Sequence, residues 1–202
     1  MSKYSFASLR KHSLKIRKVA SDTIDNAHEL WEEAFQIFNE FYAELEGLPN
    51  TVERNVKLLL ATKFINHVYS AFTLTENGLL SDAAICERSA IESLAGYKLL
   101  CIEPELAVLY DKGKFPKPVE VRKRLEKLGY GKEAQRIKDI YSPASGITHL
   151  ARDHERFSMT WKSNSDGILH VGGVFNEGDL KHMLKFLPVL IAWFLMPSEK
   201  DE

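Results

Sequence analysis

Apolar residues recur at every third or fourth position along most of the chain, and this spacing is typical of amphipathic helices. The pattern predicts long helices over residues 21–46, 51–78 and 81–100, with Ser21 and Thr51 as the N-caps of the first two. Shorter helices are predicted over 105–110, 118–128 and 132–141, and a further one from Ser142 through His149 with Pro143 at its first position. The fold is therefore expected to be mainly α-helical.

The pattern changes over residues 157–171. Apolar and polar side chains alternate from Phe157 to Trp161, and Asn164–Gly167 are typical of a tight turn. A last helix is predicted over 177–195, with a kink at Pro188. The sequence therefore predicts an antiparallel helical bundle with one small β-hairpin before the C-terminal helix.

Charge is distributed unevenly near the N-terminus. Residues 1–20 contain six Lys or Arg and no acid, whereas residues 21–50 contain eight acids and no Lys or Arg. Such a basic segment is typical of a nucleic-acid contact, or of an arm that is solvated or folds back on the acidic helix. We expect a basic arm or helix over 1–20, where the helical pattern is loose, and a single helical-bundle domain over 21–202.

The composition, with 45% hydrophobic and 27% charged residues, is that of a globular protein. The N-terminus lacks the apolar run of a secretory signal, so a cytoplasmic location is expected. The longest apolar stretch, 186–196, is shorter than the roughly 20 residues of a membrane span. It predicts no membrane contact and a helix buried in the core or against a second copy.

The two cysteines, Cys86 and Cys101, do not form a disulfide framework. On one helix they would lie about 22 Å apart, beyond the reach of a disulfide. We expect them to be buried thiols.

Arg88 and Glu92 are four residues apart on the third long helix, on a face that also carries apolar residues. Charged residues are seldom buried without partners. The pair is therefore expected either to form a structural ion pair inside the bundle or to line a pocket.

A second group of polar residues consists of Ser145, His149, Arg152 and Asp153, at helical spacings. Histidine exchanges protons near neutral pH and arginine holds phosphate, so the group suits acid–base chemistry on a phosphate ester. The alternative is that His149 only forms a hydrogen bond across a helix crossing. Neither a metal-ligand motif nor a cofactor motif is present, so no metal and no cofactor are expected.

Residues 112–138 contain ten Lys or Arg against three Glu, a net charge of +7. A basic stripe of this kind, with Tyr130 and Tyr141 available for stacking, favours contact with the phosphates of RNA or DNA. The alternative is a solvated face. The candidate nucleic-acid-binding residues are Arg122, Lys123, Arg124, Lys127 and Arg136.

The segments Cys86–Glu92 and Tyr141–His149, together with the order of elements, resemble the HEPN-like superfamily of helical proteins and its abortive-infection relatives. The resemblance implies a helical bundle, frequent homodimers and, in active branches, metal-independent RNA cleavage in toxin–antitoxin or phage-defence systems. By matching positions, Arg88, Glu92, Ser145 and His149 are the candidate catalytic residues. Active members carry an Arg followed after four to six residues by a His, and this chain has no such pair.

Three functions are therefore open. The first is binding of RNA or a nucleotide, with cleavage only if Arg88 supplies a cation in space to His149. The second is a non-catalytic helical homodimer that acts as a partner-binding or accessory module. The third is a small-molecule pocket lined by His67, Tyr69, Arg88 and His149.

Overall fold

The computed structural model describes residues 6–25, 28–148, 159–161, 167–169 and 177–201. This part is mainly helical, as predicted, and forms a helical bundle. Its α-helices are α1 (Phe6–Asp25), α2 (His28–Gly47), α3 (Val52–Glu76), α4 (Leu80–Ile102), α5 (Ala107–Asp111), α6 (Pro118–Lys127), α7 (Gly131–Thr148) and α8 (Glu177–Leu195). A single 3-10 turn, Pro104–Leu106, leads into α5.

The predicted ends of α3 are confirmed by its capping contacts. The Thr51 hydroxyl accepts a hydrogen bond from the backbone N–H of Arg54 at 3.1 Å, which satisfies one donor of the first turn. After α3, Gly78 adopts a positive φ of 76° and packs against Ile16 of α1, which leaves no room for a side chain. Glycine is therefore strongly favoured at this position, where the chain reverses into α4.

The start predicted for the first long helix is wrong. Ser21 is not an N-cap but lies inside α1, which continues to Asp25, and α2 begins at His28. The reason is that Ile16, Ala20 and Thr23, spaced by four and three residues, are all buried on one face. Burial of a continuous helical face outweighs the capping preference of one serine.

The helix boundary predicted at Ser142 and Pro143 is also wrong, because α7 runs through both residues to Thr148. A proline inside a helix removes one backbone hydrogen bond and costs about 3 kcal/mol. On the same helix, Ala134 and Ile137 are fully buried, in contacts with α4 and α6. Tertiary packing of this kind commonly decides whether a helix continues.

Two short strands, β1 (Met159–Trp161) and β2 (Gly167–Leu169), pair antiparallel with Met159 opposite Leu169. The residues that would form the predicted turn lie outside the described residues. The β-hairpin as a unit therefore stays a prediction.

The core surrounds α4, which contacts α3, α6, α7 and α8. At its centre the rings of Phe64 and Phe194 stack with centroids 4.3 Å apart, and Tyr97 lies 4.5 Å from Phe194. A smaller apolar cluster joins α1, the start of α4 and α8, and includes Ile16 and Leu184. The basic N-terminal segment is thus tied into the bundle by its apolar face.

The apolar stretch over 186–196 belongs to α8, where Leu187, Leu190 and Ile191 are fully buried. The prediction of a core helix is confirmed. Within the described ranges, no helix combines the length and the apolar character that crossing a bilayer would require.

The cysteine prediction is only partly right. Cys86 and Cys101 are free thiols on the same helix, α4. Cys86 is half-buried, but Cys101 is exposed because it lines a cavity rather than the core.

Candidate functional site

The central feature of the site is the ion pair of Arg88 and Glu92 on α4. Their positions, four residues apart, bring Nε of Arg88 within 3.2 Å of Oε1 of Glu92. The two side chains are 24% and 33% exposed, so the pair is neither sealed in the core nor fully solvated. Both readings of the sequence, an ion pair and a pocket wall, apply to Glu92, since this residue also lines a groove.

Helix α7 adds a tyrosine to this pair. The Tyr141 hydroxyl donates a hydrogen bond to Oε1 of Glu92 at 3.0 Å. The guanidinium groups of Arg88 and Arg122 lie 5.1 and 4.9 Å from the centroid of the Tyr141 ring, at cation–π distance. Burial, and then the Glu92 carboxylate, raise the pKa of Tyr141, which keeps its hydroxyl protonated and able to donate.

A polar groove of about 300 Å³ lies beside Glu92, between α3, α4 and the segment that follows α5. Lys63 on α3 donates a hydrogen bond to the Tyr110 hydroxyl at 2.7 Å. His67, one turn after Lys63, lines the same groove. We call this cavity the polar groove; its polar lining residues are Lys63, His67, Ser89, Glu92, Ser93 and Tyr110.

The environment of His67 favours the neutral imidazole. Burial and the charge of Lys63 lower the pKa of His67, and the charge of Glu92 opposes this effect only in part. A neutral imidazole can accept a proton at physiological pH. The polar groove thus combines a cation, a proton acceptor and a carboxylate in one cleft.

A second cavity, the basic groove, lies between α5 and α6 and has a volume of about 560 Å³. Its charged lining residues are Lys114, Glu120, Lys123, Arg124 and Lys127, so four cations face one carboxylate. Arg124 is held by Glu103 from outside the groove through a bidentate ion pair, with Nη2 to Oε1 at 2.9 Å. The lysines supply the remaining positive charge.

The structure divides the residues predicted to bind nucleic acid into three places. Lys123, Arg124 and Lys127 line the basic groove. Arg122 faces the other side of α6, where it packs on the Tyr141 ring. Arg136 lies on α7, 65% exposed, with its guanidinium 3.9 Å from the Glu133 carboxylate.

Only some of the predicted catalytic residues lie among the described residues. Arg88 and Glu92 are together, as described above. Ser145 belongs to α7, one turn after Tyr141, and its side chain lies outside the described residues, as does the whole of His149. The prediction that His149 joins Arg88 and Glu92 therefore stays a prediction.

Sequence reasoning missed part of the polar groove. His67 was a candidate from its polarity, but Lys63 and Tyr110 were not singled out, because no spacing along the chain predicts their meeting. Tyr69, named with His67, is 61% exposed and is not among the lining residues of the polar groove. Within the described ranges, no group of three or more His, Cys, Asp or Glu is arranged to hold a metal ion.

Comparisons of the chain with models of protein families, with curated proteins and with solved structures found no match. The functional argument therefore depends on the geometry of the two grooves.

Proposed function

We propose that the chain binds RNA, with the phosphate backbone in the basic groove and one nucleotide in the polar groove. The observation that carries this proposal is that Pro116 lines both cavities. The two grooves are thus neighbours across a single residue. An RNA strand lying on the lysines of the basic groove can reach Lys63 and His67 in the polar groove.

The charges of the basic groove suit a polyanion. Lys114, Lys123 and Lys127 are exposed and have flexible side chains that can follow successive phosphates. Binding of this kind releases counterions and therefore weakens as salt rises. Arg124, already paired with Glu103, is expected to contribute less than the lysines.

The polar groove suits a phosphate and its ester oxygens. The Lys63 ammonium supplies positive charge, and the neutral His67 accepts a proton. The Tyr110 ring, which packs edge to face on Phe115 with centroids 5.3 Å apart, offers an aromatic surface beside them. Stacking on such a surface stabilises a bound base by about 1–3 kcal/mol in single-strand binding proteins.

We also propose that the chain belongs to the HEPN-like superfamily. This proposal includes a homodimer, a β-hairpin before the last helix and a role in defence systems. It is supported by the ion pair of Arg88 and Glu92 on a central helix. Light scattering of the purified protein tests the homodimer directly.

Binding is tested by fluorescence anisotropy with a labelled single-stranded RNA of about 12 nucleotides, within the usual site sizes. Lys123→Glu/Lys127→Glu should weaken binding and lower the slope of log K against log salt by about 1.4, since each lost phosphate contact removes about 0.7. Lys181→Glu/Lys185→Glu on α8 is the matched control, with the same spacing and charge change, and should leave both quantities unchanged. Equal losses in the two double variants would refute the basic groove as the binding site.

Cleavage is a separate hypothesis with its own test. The same RNA is incubated with protein in EDTA, and the products of the wild type are compared with those of His67→Ala and His149→Ala. Loss of cleavage in either variant, with binding retained, assigns that histidine to proton transfer. Intact RNA with the wild type would exclude metal-independent cleavage and leave a binding protein.

A further inference from the structure

A third cavity, of about 710 Å³, lies on the opposite side of α4 from the polar groove. Ser89, Ser93 and Gly96 of α4 face the polar groove, whereas Lys98 and Cys101 line this cavity. A rotation of about 100° per residue places these two sets on opposite helix faces. We call the third cavity the Lys98 cavity; its volume lies within the range of about 300–1,000 Å³ typical of small-molecule sites.

The floor of the Lys98 cavity holds a buried ammonium group. The Lys98 side chain is 3% exposed and lies 3.5 Å from the Glu133 carboxylate. Its ammonium also donates a hydrogen bond to the backbone carbonyl of Met196. An ammonium has three N–H donors, so the hydrogen bond to Met196 does not use all of them.

Glu133, the carboxylate that faces Lys98, has two further polar partners. Its carboxylate accepts a hydrogen bond from Nε1 of Trp193 at 3.4 Å and faces the Arg136 guanidinium at 3.9 Å, besides Lys98. One carboxylate is therefore shared by two cations. Arg136 is largely exposed, so Lys98 is the buried cation of this cluster, and an anion bound in the cavity would add a second negative charge beside it.

The walls of the cavity combine cations with apolar rings. Lys98 and Lys200 are its charged lining residues, and no carboxylate lines it within the described part of the chain. Tyr97, Tyr130 and Phe194 supply aromatic surface. A ligand that matches these walls has an apolar body and one negative charge.

The segment after α8 forms one side of the cavity and is fixed in place. Asp201 accepts hydrogen bonds from the backbone N–H groups of Gly131 and Lys132, at 2.5 and 3.1 Å, at the start of α7. The N–H of Asp201 in turn donates to the Gly129 carbonyl at 2.7 Å. These contacts hold Lys200 at the rim, so the cavity is formed before any ligand arrives.

We propose that the Lys98 cavity binds an organic monocarboxylate with an apolar chain or ring, the carboxylate lying between Lys98 and Lys200. This site is separate from the two grooves and does not depend on RNA binding. Burial lowers the pKa of Lys98 against the opposing effect of Glu133, and a bound carboxylate should raise it.

The test uses Cys101 as a reporter, because this residue is exposed and lines the cavity; burial of its thiol raises the pKa of Cys101, so the reaction is run at alkaline pH. Cys86, on the same helix but not among the lining residues, is an internal control. Alkylation of each thiol by N-ethylmaleimide is followed by mass spectrometry with decanoate, decanol or decyltrimethylammonium. Decanoate at ten times its Kd should slow alkylation of Cys101 about tenfold, by the factor 1 + [L]/Kd, and leave Cys86 unchanged.

Charge variants identify the group that binds the anion. Lys200→Glu should raise the Kd for decanoate about tenfold, and Lys185→Glu, an exposed change on α8 away from the cavity, should not. Lys200 is at the rim and exposed, so this variant retains the buried Lys98 pair and its fold. The proposal is overturned if Cys101 is not protected, if Cys86 is protected equally, if all three amphiphiles act alike, or if Lys200→Glu has no effect.

Discussion

Glu87 on α4 should make the stability of the protein depend on pH in the neutral range. Burial raises the pKa of the Glu87 carboxyl from its ordinary 4.5 to about 7. In the unfolded chain the group ionises near 4.5, whereas in the folded chain it stays protonated until about pH 7. The folded state therefore binds more protons between these values, and the free energy of unfolding must fall as pH rises through this window.

The size of the effect follows from the two pKa values. At 1.36 kcal/mol per pKa unit, the difference between the two pKa values lowers the free energy of unfolding by about 3 kcal/mol at pH 8 and about 1 kcal/mol at pH 5. Glu87→Gln keeps the shape of the side chain and cannot ionise. The variant should therefore gain about 2 kcal/mol over the wild type between pH 5 and pH 8.

The assay is equilibrium urea unfolding of both proteins at several pH values from 5 to 8. Other groups titrate over this range in both proteins, so the difference between variant and wild type isolates Glu87. Glu126→Gln, at an exposed carboxylate on α6, is the matched control. Its free energy of unfolding should differ from that of the wild type by the same amount at every pH. A Glu87→Gln curve parallel to the wild type across the window would refute the claim that burial holds this carboxyl protonated.

Two further predictions concern the polar contacts of α4. Tyr141→Phe removes the hydrogen bond to Glu92 and should lower the free energy of unfolding by about 1 kcal/mol. Made in the Glu92→Gln variant, Tyr141→Phe should cost less. Equal costs of Tyr141→Phe in the two backgrounds would show that the two groups are not coupled. Lys98→Met removes the buried cation that faces Glu133, whose carboxylate keeps only the exposed Arg136 and the Trp193 hydrogen bond, and should cost about 3 kcal/mol in urea unfolding. Lys98→Met/Glu133→Leu should recover much of this loss, and a double variant no more stable than Lys98→Met would contradict that explanation.

The parts of the fold that sequence reasoning predicted are those decided by local chemistry. Thr51 caps α3 because its hydroxyl reaches an N–H three residues later. Arg88 and Glu92 meet because residues four apart share a helix face. The α8 prediction held because an apolar run with acids in its first turn has few alternatives.

The parts that sequence reasoning missed are decided by partners distant along the chain. Ser21 and Pro143 carry local signals for a helix start, yet both lie inside helices. For Ser21, the buried face of α1 continues across the signal, from Ile16 and Ala20 to Thr23. A propensity of about 1 kcal/mol at a cap is small beside the burial of several apolar side chains.

The sequence of α4 also shows why a pocket beside Arg88 and Glu92 was anticipated and the Lys98 cavity was not. Arg88 and Glu92 were noticed because two opposite charges at helical spacing interrupt an apolar stripe. Lys98 stands alone between apolar residues, and an isolated lysine usually reaches solvent. Its partner Glu133 is on α7, and no spacing along the chain connects the two. In a helix surrounded by others, every polar residue needs a partner or a cavity, so a single lysine there is as informative as a charged pair. Recognising this requires knowing that α4 lies at the centre of the bundle, and its contacts with α3, α6, α7 and α8 are what show it.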